Sequence, residues 1–332
     1  MAAKKQRYSN AFTATLSGIT DLFRKQQNVV TLHDAERLDG KNILITGASS
    51  GLGFEAAVQL AKRGACVLMA CRSGIPVKGE QVKKLSGNKQ VEMLQVDLSD
   101  LDSNIELVNK LKTAAVKLDG LVDNAGMVPA KSRKTKQGLE EMFVVNYLSK
   151  YLLTRLLLEN DLFNNSANAI PRMIYVVSES HRNPKTFVWD EFGKYKEYSM
   201  GKTVEHYGYY KLLLATFASE LSRKINTNDH VNYSVFALCP GPVNSNIARE
   251  APAVFKPLLK AVFKIFFRSP KVAVQPVIYF AASSEVQGKA MDYLFLMQRK
   301  EMDEKAVDEE NGQKLWQLSE RLLKEHGIVF RK

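Results

Sequence analysis

The sequence predicts a single doubly wound α/β domain built on a mostly parallel, seven-stranded sheet. Three observations carry that expectation. Short apolar runs rich in branched residues, such as Asn42–Thr46 (NILIT) and Ala65–Cys71 (ACVLMAC), are nearly continuous rather than alternating. Strands of that kind are covered on both faces. Helical stretches of ten or more residues separate them, as parallel strands require, and no linker or repeat divides the chain beyond residue 41. With 332 residues and an apolar share of 45%, the chain can build one sizeable core.

Residues 1–40 read as an extension with weak helical periodicity at Phe12, Leu16, Ile19 and Phe23. The domain, residues 41–332, opens on the strand Asn42–Thr46 and the turn Gly47-Ala-Ser-Ser-Gly51-Leu-Gly53. A helix follows over Phe54–Arg63 and Gly64 ends it. The second strand, Ala65–Cys71, stops at Arg72. Val91–Val96 is a third, with Asp97-Leu98 after it and Ser99 or Asp100 placed to cap the next helix. Gly120–Val122 runs into Asp123-Asn124-Ala125-Gly126. Met173–Val177 and Val231–Leu238 are further apolar strands, and Asp292–Leu296 supplies the last. Residues 182–206 break the alternation with polar and aromatic side chains, which suits an insertion over the open edge of a site.

Composition narrows the class. Three cysteines, none in a CxxC pair, cannot form a disulfide framework and read as thiols of a reducing, intracellular compartment. No apolar run reaches the length of a membrane-spanning helix, and the polar-interrupted N-terminus lacks the apolar centre of a secretory signal. The expected location is therefore cytoplasmic or peripheral to a membrane. A net charge of +12 is largely a solvated surface, concentrated in Lys131, Arg133, Lys134 and Lys136 and in Lys256, Lys260, Lys264 and Arg268. Neither cluster carries a nucleic-acid signature, so no nucleic-acid partner is expected. In 254–268 the cations recur every four residues opposite Phe255, Leu258, Leu259, Val262, Ile265 and Phe266. Such a helix either roofs a substrate pocket or rests on an anionic bilayer and admits an apolar substrate from lipid.

Two constellations carry chemistry. In the glycine turn, only glycine fits the tight exit from the strand at Gly47. At Gly51 the backbone must approach a phosphate, and at Gly53 the helix must pack on the strand. The helix N-terminus would then offer N–H groups and its positive dipole end to a pyrophosphate, as in dinucleotide-binding folds of the Rossmann type. The second strand ends without a carboxylate for a ribose hydroxyl. Arg72 stands there instead, able to pair with a 2′-phosphate, which points to NADP(H) with NAD(H) as the alternative.

Tyr207 and Lys211, at i and i+4, share one helix face. A free phenol titrates near 10. A neighbouring ammonium favours the phenolate and would lower that value, making Tyr207 usable as general acid or base. Tyr209 and Tyr210 have no lysine four residues on. Ser178, at the end of the fifth strand, could bind a substrate carbonyl, with Ser180 as its rival. Asn146 is an unexpected amide in an apolar helix, where it could bend the helix and order a water.

Jointly these residues resemble the short-chain dehydrogenase/reductase family. The resemblance runs over Thr46–Gly53, Asp97-Leu98, Asn124-Ala125-Gly126, Asn146, Ser178, Tyr207-xxx-Lys211 and Pro240-Gly241, in order and spacing across 41–245. Phe267-Arg-Ser-Pro, Ala273–Ser283 and Lys314–Glu320 resemble the C-terminal third of retinol-dehydrogenase-like members. The resemblance implies Tyr207 as acid/base, Lys211 on the nicotinamide ribose, Ser178 on the carbonyl and Asn146 on a relay water. It implies Asp97 and Leu98 near the adenine. Gly47, Ser49, Ser50, Gly51, Leu52, Gly53, Asn124, Ala125, Gly126, Pro240, Gly241, Val243 and Ser245 would line the cofactor cleft.

Two departures stand out: Asp123 replaces the usual first asparagine of the NNAG motif, and Val177 replaces a serine. The implied activity is NADP(H)-dependent interconversion of a carbonyl and an alcohol on an apolar substrate, with segment 244–270 shaping the pocket. Homo-oligomers are expected by analogy alone. The alternatives are reduction of a conjugated C=C bond, as in protochlorophyllide reductase relatives, and a non-catalytic scaffold that retains the fold. The intact Asn146, Ser178, Tyr207 and Lys211 speak against the scaffold.

Overall fold

Strand residues of alternating direction fill two cores. Leu44 of the first strand enters one, with Leu121, Met173 and Phe217, while Ile43 and Ile45 enter the other, with Val67, Phe236 and Phe280. The two-residue period of a strand sends neighbours to opposite faces, so a sheet apolar throughout must be covered twice. The computed structural model describes residues 29–33, 35–166, 169–227, 230–243 and 268–331.

The strands are β1 (Asn42–Thr46), β2 (Cys66–Cys71), β3 (Val91–Gln95), β4 (Gly120–Asp123), β5 (Arg172–Val176), β6 (Ser234–Cys239), β7 (Met291–Phe295) and β8 (Gln298–Arg299). Their order in the sheet is β3-β2-β1-β4-β5-β6-β7-β8. All pairs are parallel except β7 with β8. The chain works outward from β1 to β3 and then returns to place β4 against β1, in register Ile43↔Gly120 and Ile45↔Val122. That reversal is the topological switch point, where ligands bind at the carboxyl ends of the strands.

The principal helices are α1 (Gly51–Lys62), α2 (Val77–Ser86), α3 (Leu101–Thr113), α4 (Ser149–Glu159), α5 (Met200–Ile225), α6 (Gln275–Ala282) and α7 (Glu309–Glu325). Helix α3 starts where expected: Asp100 is its N-cap and accepts from Asp102 N at 3.1 Å. Helix α5 needs no periodic stripe of its own in its second half, because Leu212 through Leu214 and Phe217 are buried all round.

Three expectations need correction, and one helix was not foreseen. The sheet has eight strands, not seven: β8 pairs antiparallel with β7 through Leu294↔Arg299 and Phe295↔Gln298. Two residues are too short for any periodic signal. Strand β6 begins at Ser234, not Val231. The side chain of Asn226 accepts from Asn232 N (2.8 Å) and Tyr233 N (3.0 Å) and keeps that stretch in a turn. Helix α1 begins at Gly51 rather than Phe54, because the glycine turn itself forms its first turn. Helix α2 was not expected; it buries only Gly79 and Val82 and so has little apolar pattern to read.

Of the N-terminal extension, Val30 and Leu38 are buried in the second core, and Val30 N donates to Met297 O at 2.7 Å. Residues 1–28 and Asp34 lie outside the described residues. The insertion 182–206 is clasped by hydrogen bonds from Tyr198 OH to Glu140 Oε1 (2.7 Å) and Thr203 Oγ1 to Pro129 O (3.1 Å).

Candidate active site

At the switch point the glycine turn leaves no room for side chains. Gly47 has φ +67°, and a Cβ on it would stand 2.9 Å from the Ala125 Cα. A Cβ on Gly53 would lie 2.5 Å from the Gly47 carbonyl oxygen and would also strike the Asn124 amide. Helix α1 starts here with Ser50 at its N-cap, no side-chain capping bond and no acidic residue in its first turn. Its leading N–H groups therefore remain unpaired by its cap, beside a cradle kept open by glycine, and this fits the pyrophosphate of a dinucleotide. Leu52 and Ala48 point into the second core, while Ser49 touches the Cys71 thiol.

The cleft's floor is cross-braced. Asn124 Nδ2 donates to Thr46 O (3.0 Å) and Gly47 O (3.4 Å), and Ala125 N donates to Thr46 Oγ1 at 3.0 Å. The motif after β4 thus holds the motif after β1. On the adenosine side, Arg72 is half-exposed with Nη1 3.8 Å from Asp97 Oδ2. The other oxygen of Asp97 accepts from Ser99 N and Oγ at 2.9 and 2.7 Å, and Leu98 is buried. Arg72 so lies at the rim, beside the Asp97 carboxylate and half-exposed. Beyond β6, Pro240 is buried, Gly241 has φ +75° and Val243 bridges to Arg268. Ser245 falls outside the described residues, as do Lys256, Lys260 and Lys264 and all of segment 244–270 but 268–270.

Three elements bring Asn146, Ser178, Tyr207 and Lys211 together. Asn146 lies in a π-helical segment, Val144–Leu148, between the short turn Glu141–Phe143 and α4. Its amide pairs with the Met127 backbone in both senses, Oδ1 accepting and Nδ2 donating, each at 2.9 Å. A π-turn inside a helix is uncommon and marks functional sites; here it presents the amide to the strand ends. A Cβ on Gly126 would lie 3.2 Å from Asn146 Oδ1 and 3.8 Å from Lys211 Nζ, so these three meet at one point. Lys211 Nζ, 5.6 Å from the centre of the Tyr207 ring, donates to Val176 O at 2.7 Å. The Tyr207 phenol lies beside Ser178, whose Oγ accepts from Ser180 Oγ at 2.8 Å. Tyr209 and Tyr210 are engaged elsewhere, with Val188 and Glu140.

The electrostatics differ in one respect from the sequence reading. Burial pushes the Tyr207 phenol above its ordinary range, nearby Cys239 adds to the rise, and Ser178 draws it partly back. The expected lowering by Lys211 is not found. Lys211 is instead brought down to about 7, first by burial and then by the like charge of Lys150, with Asp123 opposing.

Sequence reasoning passed over three groups here. Lys150, on α4, is fully buried against Asp123; a lysine amid MFVVNYLSKYLLT was the available signal. His181 Nε2 accepts from Asp303 N at 3.1 Å, which fixes the proton on Nδ1, 2.6 Å from the Ser178 carbonyl. Glu179 accepts from Tyr293 OH (2.5 Å) and Lys300 Nζ (2.6 Å). Of the first basic cluster, Arg133 pairs with Glu141, Lys136 with Asp102, and Lys134 lies over the Tyr195 ring.

Residues 41–185 match the family described as short chain dehydrogenase. Over 86% of its length the chain is 33% identical to human retinol dehydrogenase 14, covering 87% of that protein, and 32% identical to mouse retinol dehydrogenase 12, again covering 87%. Among solved structures, an uncharacterised protein of Mycobacterium paratuberculosis superposes with a TM-score of 0.68 at 26% identity, over 92% of this chain and all of that one. An NADP complex of Pseudomonas aeruginosa RhlG, at 20% identity, shares the fold with a TM-score of 0.60 over 80% of this chain and 98% of its own.

Proposed function

The chain belongs to the short-chain dehydrogenase/reductase family, in its retinol-dehydrogenase-like branch, and is an NAD(P)-dependent oxidoreductase; from that premise we propose that it reduces an apolar aldehyde or ketone with NADPH, using Tyr207 as the acid. The observation that carries the proposal is the Tyr207 ring 5.6 Å from the Lys211 ammonium, which meets Asn146 at Gly126, with Ser178 beside the phenol.

The cofactor supplies a hydride from its nicotinamide ring when bound. The glycine turn and the α1 N-terminus would hold its phosphates, Asn124 to Gly126 would line its course, and Lys211 would meet its nicotinamide ribose. Ser178 Oγ orients the substrate carbonyl oxygen. Tyr207 hands its proton to that oxygen as negative charge develops there. A phenol raised by burial is fully protonated at neutral pH, which favours reduction over the reverse. Asn146, locked to Met127, keeps the π-segment and its amide facing Lys211.

The preference for an apolar substrate is supported on α5 itself. Met200, Val204, Tyr207 and Lys211 succeed one another at helical spacing on one face, and Met200 and Val204 are 51% and 42% exposed. Side chains tilt toward a helix N-terminus, so a substrate over the Tyr207 hydroxyl would lie beside both. Among the described residues no helix is long and apolar enough to cross a membrane. Delivery from lipid would rest on the basic stretch 254–268, and its test is co-sedimentation with anionic vesicles that weakens as salt rises.

The deciding experiment is turnover of an aldehyde panel with NADPH and NADH side by side, for the native chain and R72D. NADPH-driven reduction is expected, with R72D moving preference toward NADH because a carboxylate repels the 2′-phosphate and accepts from a ribose hydroxyl. An unchanged cofactor ratio would place the selectivity elsewhere, and no turnover with either cofactor would remove the reading.

A further inference from the structure

Beneath the cleft lies an ion pair that the reaction as derived above does not use. Asp123 ends β4 and Lys150 sits in the first turn of α4; both side chains are 1% exposed, and Lys150 Nζ stands 2.7 Å from Asp123 Oδ1. The same ammonium reaches the Asp123 carbonyl oxygen at 3.3 Å. Oδ1 also accepts from Thr46 Oγ1 at 2.7 Å, and Thr46 Oγ1 in turn accepts from Ala125 N. Oδ2 is buried and meets no donor among the described residues. One carboxylate oxygen therefore joins the end of β1, the turn after β4 and the helix that carries Asn146 one turn earlier.

A buried ion pair is weak evidence of a need for stability, since apolar side chains of similar volume often fold as well or better. The usual asparagine at 123 would bring no charge and would strand the ammonium at 150. Each charge is thus tied to the other. Asp123 pairs in register with Tyr175 on the adjacent strand, so the Asp123 carbonyl that receives Lys150 Nζ and the Val176 carbonyl that receives Lys211 Nζ lie at neighbouring strand ends. The charges of Lys150 and Asp123 and the Cys239 thiol act on Lys211 there, with Tyr207 on its own helix. Asn146 and Gly126 close the remaining side. Lys150 is the only other cation in this set, and it is held there by Asp123.

We propose that Lys150, anchored by Asp123, is a positioning residue that sets the charge state of Lys211 and with it the pH range of the reaction. It acts through Lys211 and touches neither substrate nor the reacting atoms. The inference rests on the reading that Lys211 serves the reaction beside Tyr207. Its direction follows because the like charge of Lys150 lowers Lys211 more than the opposite charge of Asp123 raises it.

Four variants decide the matter: K150M, D123N, the double variant D123N/K150M, and K150R. Each is followed in two ways. The first is the alkaline limb of NADPH-driven reduction, where rate is lost as Lys211 gives up its proton. The second needs no cofactor: urea stability against pH, taken as the difference from the same protein carrying K211M. A lysine that titrates lower folded than unfolded makes stability climb with pH from its folded value upward, so the onset of that climb marks Lys211.

K150M should move both midpoints up by about one pH unit or more, the usual effect of a close charge. D123N should move them down. The double variant leaves no unpaired buried charge, so it folds even where a single one fails, and it should move them up by less than K150M. K150R keeps the charge and should leave them in place even if stability falls. Midpoints unmoved in K150M and the double variant, with only stability altered, would reduce the pair to a structural brace and overturn the proposal. Absence of turnover in the native chain would defeat the carbonyl-reductase reading alone, because the unfolding onset still reports on Lys211.

Discussion

Tyr207 is raised by burial, so its proton is present at neutral pH, and Ser178 lies beside its hydroxyl. Tyr207→Phe keeps the ring and removes only the acid. Turnover should fall by about 10²–10⁴-fold, the usual contribution of one positioned proton donor, while NADPH binding by fluorescence titration stays intact. Near-full activity in this variant would sink the assignment. His181 makes a different residue-scale statement. Burial brings it down to about 4, and it is neutral because Nε2 accepts from Asp303 N. Its folded value lies below its unfolded one, so the folded chain binds fewer protons between the two. Stability is then whole above about pH 6.5 and is lost as pH falls toward 4, on the order of 3 kcal/mol for the group. Urea unfolding from pH 7 to 4 should show that loss in the native chain and a smaller one in His181→Asn. Equal slopes would show that His181 does not carry it.

At the scale of elements, each motif works by where its helix or strand ends. Helix α1 approaches β1 so closely that the two backbones touch through Gly53 and Gly47. Gly53→Ala puts a methyl against the Gly47 carbonyl, which is backbone and cannot rotate away. The expected cost is about 1–3 kcal/mol in thermal or urea unfolding, with NADPH affinity reduced at least tenfold, because the displaced helix end no longer faces the switch point. Affinity equal to the native chain's would show that the turn is not the phosphate cradle. Asn146 illustrates the same dependence on element geometry. In a regular α-helix its amide would turn away from Met127; the π-segment adds the rotation that lets it clamp both backbone groups.

Across the whole molecule the C-terminal helix buttresses the site from behind. Tyr147, next to Asn146, shares a 2.5 Å hydrogen bond with Ser319 of α7. Arg155 donates to Glu320 at 2.6 Å and stacks over Trp316 and Phe330, 4.6 and 4.3 Å from their ring centres. Phe217 of α5 joins these parts, touching Tyr151, Tyr175 and Trp316 with ring centres 5.1, 5.6 and 6.1 Å away. Phe217→Ala should cost about 3–5 kcal/mol, as buried aromatic truncations do. The urea midpoint should shift accordingly, and a change below 1 kcal/mol would mean the rings repack without it.

The sequence by itself determined the doubly wound class, because continuous branched strands can be covered only on both faces. It also determined the glycine turn and the Tyr207–Lys211 pairing, because both are local: a few consecutive residues, or one helical turn, contain the whole geometry. Only the tertiary structure decided what depends on burial and on approach from distant segments. Tyr207 rises and Lys211 falls because burial desolvates both, and no spacing reveals how deep a side chain will lie. The eighth strand exists because β7 offers an edge to two residues that have no pattern of their own. Asp123 looked like a minor departure in one motif, and Lys150 drew no reading at all. Twenty-seven residues apart in the chain, they become one buried pair only when β4 and α4 pack, since a charge acquires its partner in space and not in sequence.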